Sequence, residues 1–372
     1  MDYIKDFQIQ LDKEMFYAGE ILEGQVILNT IENFKLKSMR IVLRGKAHAE
    51  WKVLDNIAGP TVMDEQCFVE NKSILGDSSV PILPRGLHQF PFRFQLPQTS
   101  LPCSFESKPG YIRYYIKVTL DIPYASSPHG MKYITVIGPH IDCMDDQYLK
   151  PIEKVEKMSR CCMCYKRNKI VLDCYLERTA YVCGEALRLK ANIKNQNKSD
   201  IRLKVKLFQN VHYTIKKKQS PTNSIYQKDV QHLVLEYTGE PIQNGCVSQW
   251  DSADGLILPV MPPTLVLGIC KLLQIYYVLQ VCVDLGNGVE DLNMCFPITI
   301  GTVPFRIPNR NQTPKIYYSV ACEHVEGGKY IGPEFMLGDV YDGTHAEQVV
   351  IYRPVYVSIR EPDDVPNPIA TS

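Results

Sequence analysis

The densest concentration of reactive side chains is the run CCMCYKRNK, which sets Cys161, Cys162 and Cys164 beside Lys166, Arg167 and Lys169. Thiolates in such a run can bind zinc. Cys-Cys-x-Cys, however, lacks the two-residue gap that lets paired thiolates chelate, and a fourth ligand would have to come from elsewhere. Exposed thiols next to cations also suit reversible S-acylation, because acyl chains and anionic lipid then cooperate. The third reading takes precedence: small apolar cysteines packing in a hinge between two domains. A second run, IKKKQ, carries Lys216, Lys217 and Lys218 where a strand gives way to a loop with Pro221 and Asn223. It reads as a solvated loop. The functional alternative is an anionic contact, to a phosphoinositide or a phosphorylated cargo, worth about 3 kcal/mol for three lysines at a charged surface.

An enzyme needs titratable groups that converge, and the chain shows no nucleophile elbow, no pair of metal-spaced histidines and no phosphate-cradling glycine loop. Its 8 histidines are scattered. No catalytic site, metal or cofactor is therefore expected. Lys plus Arg equals Asp plus Glu at 41 each, so no global field draws in nucleic acid. The opening MDYIKDFQIQ lacks a basic segment followed by an apolar run, which predicts a cytoplasmic chain. In that compartment the 13 cysteines read as free thiols, and the sequons at Asn71, Asn197 and Asn311 as unmodified. One stretch, from Thr264 to Val283, has the length of a membrane span but carries Lys271, Gln274 and Gln280 inside it.

The elements that must position these residues come in two copies. LDKEMFYAGEILEGQVIL, from Leu11, recurs as LDCYLERTAYVCGEALRLKANI, from Leu172. Setting Gly19 on Gly184 also sets Leu11 on Leu176, Phe16 on Tyr181, Glu20 on Glu185, Leu22 on Leu187 and Leu28 on Ile193. Later blocks keep the order: MRIVLRG with LKVKLFQ, LPQTSLP with LPVMPPT, and YYIKV from Tyr114 with YYVLQV from Tyr276. Both copies alternate apolar with polar as half-buried strands do, and the apolar stretch near residue 275 falls on a soluble strand of the first copy. Glycine- and asparagine-rich turns and 25 prolines complete an all-β pattern of two tandem immunoglobulin-like sandwiches, each of seven to nine strands. The expected divisions are a sandwich over 1–150, a charged hinge without strand alternation over 151–169, a second sandwich over 170–300 and an extended tail over 301–372. Within the tail, EQVVIYRPVYVSI is predicted to add as an edge strand to one sandwich and to hide Tyr356.

Paired sandwiches, each begun by aromatic-x-x-Gly-Glu and an alternating strand, resemble the arrestin superfamily, and FYAGEILEGQVIL with LERTAYVCGEALRLKANIKNQ is most similar to its α-arrestin branch. The resemblance covers roughly residues 5–300. It implies a non-enzymatic cytoplasmic adaptor, recruited to plasma membrane and endosomes, that links membrane receptors or transporters as cargo to endocytic sorting and to ubiquitin ligases of the HECT type. The alternative it leaves open is a structural subunit of an endosomal sorting coat. In α-arrestins the ligase link runs through PPxY motifs that dock on WW domains as polyproline II. This chain has RPVY instead, with Arg353 in the first proline's place and Pro354 and Tyr356 retained. Partner binding is assigned to those two residues, directly or through a protein with an intact motif. The polar-core positions of visual and β-arrestins are not matched to residues here.

Overall fold

In each half of the chain an aromatic residue, a two-residue step, a glycine and a glutamate make the same turn. The computed structural model describes all residues except 1–2, 54–58, 77–81, 124–126, 161–167, 219–222, 254, 267, 287–289, 308–313, 329–334, 337–351 and 362–372. Gly19 and Gly184 sit at φ +80° and +86°, where a side chain would cost about 1–2 kcal/mol. The following glutamate closes the turn: Glu20 accepts the Tyr17 amide at 2.8 Å, and Glu185 accepts the Val182 amide at 3.3 Å. The same backbone ties recur beneath it. The Leu96 amide donates to Glu20 O and the Leu258 amide to Glu185 O.

Each turn starts a sandwich. In the first, one sheet runs β1 (Ile4–Leu11), β3 (Ile21–Thr30), β8 (Gly86–Gln95). The facing sheet runs β2 (Met15–Phe16), β11 (His129–Val136), β10 (Gly110–Asp121), β5 (Ser38–Lys52), β6 (Thr61–Leu75), with β9 (Phe105–Glu106) on β10. A short ribbon pairs β4 (Phe34–Lys35) with β7 (Ile82–Leu83). In the second sandwich the sheets run β12 (Ile152–Arg160), β13 (Asn168–Leu176), β15 (Leu189–Gln196), β18 (Val247–Asp251), and β14 (Ala180–Tyr181), β20 (Glu290–Ile300), β19 (Leu273–Asp284), β16 (Arg202–Lys218), β17 (Asn223–Thr238). Apart from β12 the two orders correspond strand for strand. Even the parallel contacts match, since Phe16 pairs with Val136 and Tyr181 with Ile300.

Strand alternation supplies the cores. On β3 the inward row Leu22, Val26, Leu28 is buried, and so is its counterpart Leu187, Ala191, Ile193. Each large aliphatic so buried contributes about 1.5–3 kcal/mol. The apolar stretch of span length is the edge of a loop followed by β19, whose inward row Leu273, Ile275, Tyr277, Leu279, Val281 is buried. No helix among the described residues is long and apolar enough to cross a membrane.

Two expectations need correction. Residues 151–169 are not a hinge without strands, because β12 pairs with β13 along its whole length, from Ile152↔Leu176 to Arg160↔Asn168. One face of this edge strand turns toward β20, where Lys154 donates to Cys295 O at 2.6 Å and, among its described side chains, only Ile152 and Met158 pack on the core, so its sequence shows charge rather than alternation. Cys161, Cys162 and Cys164 lie outside the described residues. The last repeat block slips by one residue. Tyr114 corresponds to the buried Tyr277, not to the exposed Tyr276: each is buried, and their hydroxyls donate to Pro102 O at 2.8 Å and Pro262 O at 2.6 Å.

The tail also differs from its expected form. It brings its own partner strand, β21 (Tyr317–Val320), which pairs antiparallel with β23 (Val355–Ser358). The sandwich edge is extended instead by β22 (Phe335–Met336) on the start of β11.

Candidate functional site

Where the sandwiches meet, polar groups are matched across the junction. The Ser107 and Tyr213 hydroxyls lie 2.6 Å apart, and Trp51 meets the Tyr213 ring edge-on at 6.3 Å between centroids. Gln66 on β6 uses both ends of its amide, donating to Ile269 O at 3.4 Å and accepting the Lys271 amide at 2.7 Å. A buried glutamine, Gln209, accepts the Glu326 amide at 2.8 Å and donates to Glu326 O and to the Tyr277 hydroxyl. Buried polar groups with full partners of this kind fix one relative placement of the parts they join.

The tail threads through this junction. Tyr356 is 1% exposed, and its single hydroxyl proton faces Gly327 O at 2.7 Å and Ser104 O at 3.1 Å, one acceptor from the tail and one from the first sandwich. Gly327, at φ +117°, leaves no room for a side chain, since a Cβ there would lie 2.4 Å from Pro262 and 2.9 Å from the Tyr356 hydroxyl. Its amide donates to Glu106 O at 3.1 Å. The Glu106 carboxylate meets Arg113 in two parallel bonds of 2.6 and 2.8 Å. Burial pushes the Glu106 carboxyl up, and the guanidinium only partly offsets this. Tyr352 stacks on Tyr133 and its hydroxyl lies 2.6 Å from that of Thr135, while the Tyr318 hydroxyl meets that of Tyr17 at 3.0 Å. On the second sandwich the Ile359 amide donates to Cys183 O at 3.0 Å and Arg360 Nε to Gly184 O at 2.9 Å. Arg306 adds an ion pair to Asp142 at 2.6 Å.

The assigned partner-binding pair is therefore brought into one place and covered. Pro354 and Tyr356 are both buried, as the hiding of Tyr356 requires. The lysine run behaves otherwise. Lys216 pairs with exposed Ile225 and Lys217 with Ser224, at the loop end of the β16–β17 hairpin. Lys216 is exposed and Lys217 half-buried, and as neighbouring strand residues they face opposite sides. Among the described residues no group of three His, Cys, Asp or Glu could hold a metal. Burial holds the Cys103, Cys143, Cys174 and Cys183 thiols up at about 12, which keeps them as thiols rather than reactive thiolates.

Sequence reasoning missed the cation that stands beside each turn. The offset that sets Gly19 on Gly184 also sets Lys13 on Arg178. Lys13 bonds Glu20 at 2.7 Å over the Phe16 ring in an exposed pair, 46% and 36% exposed. Arg178 bonds Glu185 at 2.9 Å and Ala180 O, and lies over Tyr181 at 4.0 Å and Phe305 at 4.6 Å, with both charged side chains only 8% exposed. The repeat register was the signal that could have found it.

Two linked sandwiches of one topology, joined through polar contacts and a tail, define an arrestin-like architecture. Comparison with known proteins agrees. The N-terminal domain of "Arrestin (or S-antigen)" matches residues 6–142 and its C-terminal domain residues 166–305. Over 303 residues the chain is 27% identical to arrestin domain-containing protein 4 of Homo sapiens, covering 79% of this chain and 69% of that one. Arrestin domain-containing protein 1 of Mus musculus is 28% identical over 319 residues (84% and 67%), and arrestin domain-containing protein 17 of Caenorhabditis elegans 25% over 304 (78% and 68%). The chain belongs to the arrestin superfamily, in its α-arrestin branch, a family of generally non-enzymatic adaptors.

Proposed function

We propose that this protein is a non-enzymatic cytoplasmic adaptor in membrane-protein trafficking, recruited to plasma membrane and endosomes, which links receptors or transporters to endocytic sorting and to a WW-domain ubiquitin ligase of the HECT type. The observation that carries the reading is the placement of Pro354 and Tyr356, the surviving half of a ligase-docking motif, inside a junction that touches both sandwiches. In this arrangement the ligase contact is made only after the tail leaves, or through a second protein with an intact motif. A peptide of residues 350–360 is expected to bind WW domains much more weakly than the same peptide with Arg353→Pro, because arginine fills no proline groove and leaves the extended form unprepared. Equal affinities in a WW titration would sink the argument.

The adaptor reading itself is tested by proximity labelling in cells with the intact chain and with a chain ending after Ile300. Membrane cargo should label with both chains, and ligase only with the intact one. Recovery only within a complex of fixed stoichiometry would point to the coat-subunit alternative.

A further inference from the structure

The end of the first sandwich farthest from the junction is built from two antiparallel runs, residues 30–35 and 82–87. Thr30 pairs with Gly86, Phe34 with Leu83 and Lys35 with Ile82, and the Arg85 amide donates to Asn33 Oδ1 at 2.7 Å. The Thr30 hydroxyl donates to Pro84 O at 2.9 Å. Phe34 is turned into the core and anchors the ribbon. Leu83 packs on the core beside it, whereas Ile31, Ile82 and Leu87 are 41%, 48% and 62% exposed. Single exposed aliphatics need no explanation. Three on two short runs whose backbone is pinned cannot turn inward, and they leave apolar surface at the tip.

Charge surrounds them. Lys35 and Arg85 lie on the same runs, exposed and without an acidic partner among the described residues. Arg40, also exposed, opposes the exposed Ile74 where β5 begins and β6 ends, and Lys37 stands nearby with Asp121 at 3.9 Å. Glu32 is the acid within the runs. In a chain with no net charge this is a local cationic excess around an apolar tip. Among the described residues, the cavity found on this sandwich lies away from the tip, on the outer sheet near Asp12, Glu23 and Phe92. Short aliphatics ringed by cations match the boundary of an anionic bilayer, where apolar groups enter among acyl chains and each cation is worth roughly fivefold in partition.

We propose that this end of the first sandwich docks on an anionic lipid surface, with Ile31, Ile82 and Leu87 entering the interface and Lys35, Arg40 and Arg85 meeting phosphates. The inference rests on the adaptor reading for its setting and deepens it by naming the lipid-facing surface. Its test is co-sedimentation of the full chain with phosphatidylcholine vesicles, with and without phosphatidylserine. The wild-type chain should bind only where phosphatidylserine is present. Lys35→Glu with Arg85→Glu should lower that partition by about 25-fold or more. Ile31→Ser with Leu87→Ser should lower it about tenfold while leaving its salt dependence unchanged. All four positions are exposed, so melting should not shift, and Lys216→Glu with Lys217→Glu should bind as the wild type does. Binding that ignores phosphatidylserine, survives the Lys35/Arg85 reversal, or is lost with Lys216 and Lys217 overturns the proposal. So does a Lys35/Arg85 variant that loses a protein partner in cells but keeps vesicle binding. Cargo capture is scored separately by proximity labelling, so a chain that labels cargo yet ignores vesicles overturns the docking surface and leaves the adaptor reading standing.

Discussion

Replacing Tyr356 by alanine is expected to lower the unfolding free energy by about 3–5 kcal/mol, the usual range for removing a buried aromatic side chain. The ring belongs to the one core that runs through both sandwiches and the tail, and the hydroxyl is shared between the tail's Gly327 and the first sandwich's Ser104. Loss of the ring therefore removes packing and a cross-junction bond together. Tyr356→Phe separates the two contributions: it keeps the ring, takes away the donor, and is expected to cost about 1–2 kcal/mol. Denaturant titration of both variants measures this, with limited proteolysis reporting tail release. A Tyr356→Ala chain less than about 1 kcal/mol weaker than wild type would mean that the tail is not held through this residue.

Arg178→Met is expected to cost about 3–5 kcal/mol, because it strands the Glu185 carboxylate where water does not reach it. The equivalent change in the first copy, Lys13→Met, is expected to cost less than about 1 kcal/mol, since an exposed pair gains little over its separate solvation. The same register and the same glutamate partner thus predict unlike results, and the deeper burial of the second pair is the main difference between them. A double change, Arg178→Met with Glu185→Gln, should recover part of the loss by removing the orphaned charge. Equal effects at Lys13 and Arg178 in thermal or denaturant unfolding would refute the argument.

Much of this was legible because strand alternation is a local signal and duplication doubles it. Gly19 and Gly184 could be paired from letters alone, and the structure gives both the same positive φ and the same closing glutamate. The β12 strand was not legible, because an edge strand with charge on both faces and few core contacts writes no clear apolar row into its sequence. The slip between Tyr114 and Tyr276 arose where two tyrosines stand side by side and only burial tells them apart. For the tail, alternation around Tyr356 announced a buried strand but not its partner. β21 lies far away in sequence, and contacts of that separation leave no periodic trace. The exposed lip at Ile31 and Leu87 escaped notice for a simpler reason, since isolated aliphatics in turns look like noise until pairing brings them together.

The turn at Gly184 sets terms for anything that would replace the tail there. Ile359 N and Arg360 Nε donate to two consecutive carbonyls, Cys183 O and Gly184 O, and a Cβ on Gly184 would stand 3.1 Å from Arg360. A competing peptide must arrive extended, offer a backbone N–H to the first carbonyl and reach the second with a long side-chain donor. Proline is barred from the first of these positions by its missing hydrogen, and the bare glycine is what lets the long side chain of the second lie close. Exchange at this turn is thus governed by a two-donor rule that can be read directly in the sequence of any rival strand.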